Sequence, residues 1–183
     1  MDIGGSCMEE KLKSKTMFEG RLFKVTLDLV ELPHGLTVER EIVHHRGSVG
    51  IIPFTDDGKI IMVRQFRYPV GEMLLEIPAG TLEPGEDPVR CAARELTEET
   101  GYTARDLKPL GRVFLAPGYC TEKIHLFLAR GLRKGRQLTE ADEKITVELI
   151  DVRDLADKIH RGEIVDAKTI CGIYLAEPFI KDV

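Results

Sequence analysis

The chain has 183 residues, of which 43% are hydrophobic and 31% charged, a composition typical of one soluble globular domain with or without a small appendage. Its formal net charge is −5 and its basic residues are spread along the chain, so we do not expect it to bind nucleic acid. No apolar run approaches the ~18 residues of a membrane span, and the first residues lack the apolar segment of a signal peptide. The four cysteines show no C-x-x-C spacing. These features predict a cytoplasmic protein with reduced thiols and no membrane partner.

The first predicted element is an antiparallel hairpin, which follows a loose N-terminus. Four apolar residues alternate with polar ones between Arg21 and Leu32 and predict a strand with one buried apolar face: Phe23, Val25, Leu27 and Leu29. Pro33-His34-Gly35 then turns the chain, and Thr37–His45 forms the second strand. A hairpin has too few residues for a core of its own, so we expect residues 1–45 to form a dimer contact or to pack on a second domain, residues 46–183.

The second domain is predicted to begin with two apolar strands, Ser48–Phe54 and Lys59–Arg67. Thr55-Asp56-Asp57-Gly58 between them is typical of a hairpin turn, so we expect both strands near the centre of one sheet. Met73–Ile77 predicts a further short strand, which Pro78 ends.

Strands and helices alternate in the remainder of the chain. The predicted strands are Leu110–Leu115, Ile124–Ala129 and Thr146–Val152, and the predicted helices are Asp87–Gly101, Arg153–Arg161 and Ala167–Ala176. The charged segment Gly131–Lys144 predicts an exposed loop. This order lacks the strict βαβ rhythm of a parallel sheet and predicts an α/β fold with a mixed sheet between helices.

The segment from Gly80 to Tyr102 contains the most informative of these helices. Asp87 is a suitable N-cap, Pro88 suits the first helical position, and Gly101 suits the position after the last turn. Small and aliphatic side chains recur at helical spacing and predict the packing face: Val89, Ala92, Ala93, Leu96 and Thr100.

Three carboxylates are expected beside that face, because Glu98 and Glu99 follow Glu95 by three and four residues. Like charges at this spacing repel each other unless a cation lies between them. Oxygen ligands without a neighbouring histidine or cysteine favour Mg²⁺ or Mn²⁺ over zinc. A solvated acidic helix face is the alternative that this cluster alone leaves open.

The same segment resembles the Nudix box, in which a glycine, a glutamate, an Arg-Glu pair, an aliphatic residue, a Glu-Glu pair and a second glycine have fixed spacing. The matching positions are Gly80, Glu86, Arg94, Glu95, Leu96, Glu98, Glu99 and Gly101. Tyr102 stands where an aliphatic residue is usual and keeps its bulk. The match covers 23 residues. It implies a Nudix-type α/β/α sandwich with a mixed sheet, here with a small N-terminal antiparallel hairpin.

The resemblance also implies hydrolysis of a nucleoside diphosphate linked to another group, with a divalent metal. By resemblance the metal ligands are the carbonyl of Ala79 and the carboxylates of Glu95, Glu98 and Glu99. Arg94 is expected to orient these carboxylates, and Glu86 to pair with Arg94. The general base in relatives is a glutamate on the mobile loop, so Glu143 is our first choice and Glu140 the second. A solvated charge run is the alternative for that loop.

Three further features resemble the ADP-ribose pyrophosphatases of this family, in which an N-terminal hairpin is exchanged across a dimer. Pro117 stands 15 residues beyond Tyr102, near the position of a proline in that subfamily. The sequences VRQFRYP at Val63–Pro69 and REIVHHRGSVGIIP at Arg40–Pro53 are also similar. The resemblance therefore implies a homodimer that hydrolyses ADP-ribose to AMP and ribose 5-phosphate.

By the same resemblance Arg67 binds a phosphate or the terminal ribose, and Arg40 or Phe23, from either subunit, contacts the adenine. Simpler roles remain open: Pro117 as a turn former, Phe23 as a core residue, and Arg64 and Arg67 as exposed edge charges. Other functions also remain open, namely pyrophosphatase activity on a GDP-sugar, ADP-glucose or a dinucleotide, or nucleotide binding without catalysis.

Overall fold

The computed structural model describes residues 8–137 and 145–180. The chain divides into two compact units. The N-terminal unit comprises the residues up to Arg46 together with Ala116–Glu122. The core unit comprises Gly47–Leu115 and the residues from Lys123 onward. Within the described ranges, no helix is both long and apolar enough to cross a membrane.

The N-terminal unit is built on a three-stranded antiparallel sheet of β1 (Glu10–Glu19), β2 (Phe23–Glu31) and β3 (Thr37–His45), in that order. The predicted hairpin is β2 and β3, which pair from Phe23 with His45 to Glu31 with Thr37. The prediction of a loose N-terminus is wrong for β1. All ten of its residues are exposed, so no buried alternation marked it as a strand, and its pairing comes from the backbone edge of β2.

The buried face of β2 is the opposite of the predicted one. Thr26, Asp28 and Val30 are buried, whereas Phe23 is 38% exposed. The buried polar groups are satisfied within the sheet, because Ser14 Oγ donates to Asp28 Oδ1 at 2.5 Å and Thr26 Oγ1 lies 2.9 Å from His44 Nε2. The apolar face of this strand is therefore only partly covered within the described chain.

The core unit contains two sheets rather than one. Its strands are β4 (Ser48–Pro53), β5 (Lys59–Arg67), β6 (Glu72–Glu76), β7 (Ala79–Thr81), β8 (Tyr102–Phe114), β9 (Lys123–Lys134) and β10 (Ile145–Asp151). One sheet has the order β7-β4-β9-β8 and is mixed, because β4 and β9 are parallel and the other pairs antiparallel. The other sheet is antiparallel with the order β10-β5-β6.

The mixed sheet is confirmed, but the expectation that β4 and β5 share one sheet is wrong. The predicted turn is present, with Thr55 N donating to Lys59 O at 2.9 Å. Beyond a single bridge between Phe54 and Ile60, however, the two strands diverge into different sheets. Both are continuous apolar runs, and such runs do not reveal which partner a strand takes.

Three helices complete the core unit: α1 (Pro88–Thr100), α2 (Leu155–His160) and α3 (Ala167–Ile180). Alternate residues of β4 pack in opposite directions, with Val49 and Ile51 in the apolar cluster of α1 and Ile52 in the cluster of α3. The mixed sheet thus lies between α1 and α3, which confirms the α/β/α sandwich.

Several boundaries differ from the predicted ones. A 3₁₀ turn at Val152–Asp154 precedes α2, and α3 continues past the predicted end at Ala176 with Pro178 inside it. The predicted loop Gly131–Lys144 is wrong over Gly131–Lys134, which extends β9 by pairing with β8. Residues 138–144 of that loop lie outside the described residues.

Candidate active site

The helix α1 is fixed at both ends as predicted. Asp87 Oδ1 accepts hydrogen bonds from the backbone N–H groups of Val89 at 2.9 Å and Arg90 at 3.3 Å. Gly101 adopts a left-handed conformation with φ of 74°, and its N–H donates to Thr97 O at 2.9 Å. These two caps set where the helix begins and ends, and hence the rotation of its carboxylates.

The packing face of α1 is rotated from the predicted one toward the carboxylates. Ala92, Leu96 and Thr100 are buried as expected, but Val89 is 42% exposed and Ala93 is exposed. Two residues outside the predicted face are buried in their place, Cys91 and Glu99. The apolar surroundings of Cys91 and the charge of Glu86 raise the pKa of the thiol to about 12, so it stays protonated at neutral pH.

The backbone of Ala79 and Gly80 packs directly against two carboxylates of α1. The N–H of Ala79 donates to Glu99 Oε2 at 3.0 Å. A Cβ on Gly80 would lie 1.9 Å from the carboxyl carbon of Glu95, closer than any side chain allows, so only glycine fits here without moving that carboxylate. The backbone of Ala79 and Gly80, which precedes α1 in the chain, therefore packs against α1 at Glu95 and Glu99.

Arg94 lies among the remaining carboxylates. Its Nη1 donates to Glu95 Oε1 at 2.7 Å and to Glu98 Oε2 at 2.9 Å. Its Nε and Nη2 donate to the two oxygens of Glu86 at 3.1 and 3.0 Å, the pairing that the sequence predicted. These bonds lower the pKa of Glu86 from 4.5 to about 2 and raise the pKa of Arg94. Arg94 thus orients carboxylates by direct contact.

We call this group the acidic cluster: Glu86, Arg94, Glu95, Glu98 and Glu99. Its four carboxylates and one guanidinium carry a formal excess of three negative charges. In the part of the chain that the structure describes, no three His, Cys, Asp or Glu side chains converge as a ready-made metal site, and Arg94 Nη1 lies between oxygens of Glu95 and Glu98. The donors are oxygens alone and they carry a formal excess of negative charge, which fits a hard divalent ion.

Arg67 belongs to a second group of charges, the Glu76 cluster: Arg67, Glu76, Asp166 and Lys168. Arg67 Nε and Nη2 each donate to one oxygen of Glu76 at 2.8 Å. Lys168 Nζ contacts Glu76 Oε2 and also Asp166 Oδ2 at 3.0 Å. Arg67 is a predicted site residue, whereas Glu76 and Lys168 were not predicted. The available signal was a carboxylate at the end of the apolar run MLLEIP, where a charge requires a buried partner.

Three predicted substrate contacts lie in the N-terminal unit. Arg40 makes an ion pair with Glu9, with Nη2 2.8 Å from Oε1. Phe23 contacts the ring of Phe18 with centroids 5.7 Å apart. Pro117 is exposed in a turn closed by Cys120 N donating to Ala116 O at 2.8 Å.

The two candidates for the general base, Glu143 and Glu140, lie outside the described residues. The residues that flank this segment are described. Gln137 Nε2 donates to the backbone carbonyl of Glu99 at 2.6 Å, and Ile145 pairs with Gln65 at the start of β10. Both neighbours of the segment are therefore attached to elements that carry the candidate site.

Comparison with known proteins is consistent with this geometry. A family model described as the NUDIX domain matches residues 44–171. The chain is 42% identical over 172 residues to a methanol dehydrogenase activator of Bacillus methanolicus, covering 92% of this chain and 93% of that protein. It is also 42% identical over 170 residues to an ADP-ribose pyrophosphatase of Bacillus subtilis strain 168, covering 92% of each. A crystal structure of an ADP compounds hydrolase matches with a TM-score of 0.83 at 25% identity, covering 94% of each chain.

Proposed function

This chain belongs to the Nudix family, and we propose that it hydrolyses the pyrophosphate bond of ADP-ribose to give AMP and ribose 5-phosphate. The observation that carries the proposal is the acidic cluster, in which Glu95 and Glu99 lie against the backbone of Ala79 and Gly80. The relative named ADP-ribose pyrophosphatase supports the substrate, since the identity extends over almost the whole of both chains.

The chemistry requires cations, because a pyrophosphate is anionic and repels its nucleophile. A bound divalent ion supplies charge neutralisation and an activated water, and Mg²⁺ or Mn²⁺ fits the oxygen donors best. The residues that would hold it are the carbonyl of Ala79 and the carboxylates of Glu95, Glu98 and Glu99. Arg94 keeps these carboxylates oriented through the hydrogen bonds that it donates to Glu95 and Glu98.

Glu143 is proposed as the general base that takes a proton from the attacking water, with Glu140 as the second choice. This assignment is supported by resemblance and by the two attached flanks of the segment, Gln137 and Ile145. A base must lie within about 3 Å of the proton it accepts.

Arg67 is proposed to bind a phosphate or the terminal ribose of the substrate. Its side chain is 37% exposed although its guanidinium donates to both oxygens of Glu76, so part of the side chain is accessible to a ligand. Arg40 and Phe23 are proposed to contact the adenine, and Pro117 to shape the substrate pocket. All three are partly or fully exposed.

A homodimer is proposed because the N-terminal unit presents apolar side chains to solvent. Met17, Phe18 and Leu22 are each at least half exposed, and β1 has no buried residue. Several large apolar side chains exposed in one unit are typical of an interaction surface. Sedimentation equilibrium of the full chain should give twice the monomer mass, and Phe18→Glu should shift it toward the monomer.

A cytoplasmic location is proposed from the cysteines. Among the described residues Cys91, Cys120 and Cys171 are free thiols. Unpaired thiols are typical of proteins in reducing compartments.

Sequence identity does not distinguish hydrolysis of ADP-ribose from activation of a dehydrogenase. The methanol dehydrogenase activator and the ADP-ribose pyrophosphatase are both 42% identical to this chain. The site favours hydrolysis, because a protein that only binds a nucleotide has no need to gather four carboxylates in one cluster. Tight ADP-ribose binding without product over hours in Mg²⁺ would instead support a binding module.

The test is an incubation of the purified chain with ADP-ribose, separated by chromatography with and without Mg²⁺. AMP and ribose 5-phosphate should appear only with the metal, and a chelator should stop their release. The same assay with ADP-glucose, a GDP-sugar and a dinucleotide should give lower kcat/KM values. A higher value for one of these compounds would replace ADP-ribose as the substrate.

A further inference from the structure

Glu76 is a carboxylate that the fold buries almost completely. Its side chain is 1% exposed, and it ends β6 three residues before Ala79. Burying a charge is unfavourable unless it is paired and hydrogen-bonded. Here Arg67 donates to both oxygens at 2.8 Å and Lys168 makes an ion pair with Oε2. One buried carboxylate therefore has two cationic partners.

The two cations differ in how firmly the fold holds them. Lys168 is 12% exposed and lies in the first turn of α3, between Glu76 and Asp166. Arg67 is 37% exposed on β5, and among the described residues its hydrogen bonds go to Glu76 alone. Arg67 is thus the partner that can turn away, and Lys168 the partner that stays.

The first turn of α3 is bonded to the chain that leads into the acidic cluster. Ile77 N donates to Thr169 Oγ1 at 2.9 Å, and Thr169 Oγ1 donates to Asp166 Oδ2 at 2.5 Å. Two residues after Ile77, the N–H of Ala79 donates to Glu99. Lys168 is therefore fixed to the same stretch of backbone that carries a proposed metal ligand.

General helix stability does not explain a lysine at this position. The N-terminus of a helix is the positive end of its dipole, where a cation is unfavourable. The benefit must come from the carboxylates that Lys168 contacts, Glu76 and Asp166. Burial would raise the pKa of Glu76, but the hydrogen bonds of Arg67 and the charge of Lys168 outweigh it and leave the pKa below its ordinary value. The carboxylate is therefore ionised at neutral pH.

We infer that Lys168 is a positioning residue that neutralises Glu76 while Arg67 leaves this carboxylate to bind a phosphate of the substrate. The inference rests on the proposed function, since it deepens the role of Arg67 there. Without Lys168, release of Arg67 would leave the buried carboxylate of Glu76 without a cationic partner, which is unfavourable. Arg67 would therefore stay bound to Glu76. Lys168 thus acts on substrate affinity through Glu76 and Arg67 and has no contact with substrate.

The test is a set of variants measured for KM, kcat and thermal stability with ADP-ribose. Lys168→Met should raise KM about tenfold and leave kcat within about twofold, since a tenfold change corresponds to the loss of one modest interaction. Lys168→Arg should restore the wild-type KM because it restores the charge. A fall in kcat at constant KM would overturn the inference.

The decisive comparison is the same substitution in two other backgrounds. In Glu76→Gln, where no carboxylate retains Arg67, Lys168→Met should change KM less than about twofold. In Arg67→Gln, which lacks the group through which Lys168 acts, it should likewise have no further effect. Equal tenfold effects in all three backgrounds would mean general structural damage and would reject the inference. If the single variant Lys168→Met does not fold, Lys168→Gln replaces it. The Glu76→Gln background also remains usable, because it contains no buried carboxylate that Lys168→Met would leave unpaired.

Binding of inorganic pyrophosphate, measured by calorimetry at fixed Mg²⁺, separates this inference from the proposed function. The Kd should rise about tenfold in Lys168→Met and return to the wild-type value in Lys168→Arg. Absence of ADP-ribose hydrolysis by the wild type, with this pattern intact, would refute the proposed substrate alone. Pyrophosphate binding that is unchanged in Lys168→Met, or absent in the wild type, would refute the role of Lys168.

Discussion

The acidic cluster and the Glu76 cluster solve the same electrostatic problem in opposite ways. In the Glu76 cluster two carboxylates meet two cations, and each carboxylate contacts Lys168. In the acidic cluster three carboxylates share the single guanidinium of Arg94, and the fourth, Glu99, accepts from the backbone of Ala79. Charges of opposite sign are equal in number in the Glu76 cluster, whereas the acidic cluster has a formal excess of negative charge that suits a bound cation.

This difference distinguishes a cluster with a structural role from a cluster that suits ligand binding. A balanced buried cluster holds elements together, as the Glu76 cluster does for β6 and α3. An excess of like charge, as in the acidic cluster, costs stability and is typical of ligand-binding sites. Only Ile77 and Pro78 separate Glu76 from Ala79, whose N–H donates to Glu99 of the acidic cluster. The proposed site for cations and the proposed site for phosphates are therefore close together along the chain.

The largest effect is expected from Glu99→Gln, which removes a charge from the acidic cluster and keeps the size of the side chain. The amide oxygen can still accept from Ala79 N, so the free energy of unfolding should change by less than about 1 kcal/mol. The rate should fall by about 10³-fold, or about 4 kcal/mol in the barrier, because a metal ligand is lost. Steady-state kinetics and urea unfolding measure the two quantities.

Glu83→Gln is the matched control for that variant. Glu83 is an exposed glutamate in the same segment, so the same change of charge should leave the rate and the stability at wild-type values. Wild-type turnover by Glu99→Gln, or an equal loss in both variants, would contradict the assignment of Glu99.

A smaller effect is expected from Gly80→Ala. The new Cβ would meet the carboxyl group of Glu95 at 1.9 Å, and the end of that flexible side chain moves more easily than the backbone. We expect kcat/KM to fall about 10- to 100-fold through the misplaced carboxylate, with a stability loss of about 1 kcal/mol. Gly118→Ala, where a Cβ would meet nothing within 4 Å, should have no effect on either quantity.

The physical cause can be checked by repeating Gly80→Ala in a Glu95→Gln background. If displacement of the charge is the mechanism, the second substitution adds less than about threefold to the loss. Independent, multiplying losses would show that the backbone had moved instead.

The sequence predicted the parts of the site that depend on short separations. Asp87 and Gly101 bound α1 through contacts within four residues, and the spacing of Glu95, Glu98 and Glu99 follows from helix geometry. The predicted packing face wrongly included Val89 and left out Cys91, because the buried arc of a helix depends on the sheet against which it packs.

What sequence reasoning missed depends on distant partners. Lys168 and Glu76 are 92 residues apart, and no local pattern links them. The division of β4 and β5 between two sheets is decided by β9 and β10, which come later in the chain. β1 was missed because a fully exposed edge strand has no buried alternation.

The smallest expected effect on catalysis concerns Glu86, the member of the acidic cluster that behaves like a structural partner. Arg94 donates two hydrogen bonds to it and lowers its pKa from 4.5 to about 2. The folded pKa is below the unfolded one, so the stabilisation is fully present above about pH 5 and is lost as pH falls toward 2. At 13% exposure of this side chain, the lowering corresponds to at most about 3 kcal/mol.

Glu86→Gln should therefore lower the free energy of unfolding by about 1 to 3 kcal/mol at pH 7 and by much less at pH 2.5, while kcat changes less than about threefold. Urea unfolding of the wild type and the variant at both pH values gives the comparison. A difference that is independent of pH would show that the pair with Arg94 is not the source of the stabilisation. A 10³-fold loss of rate would move Glu86 from the structural to the metal-binding members of the acidic cluster, because only those members are expected to act on the reaction.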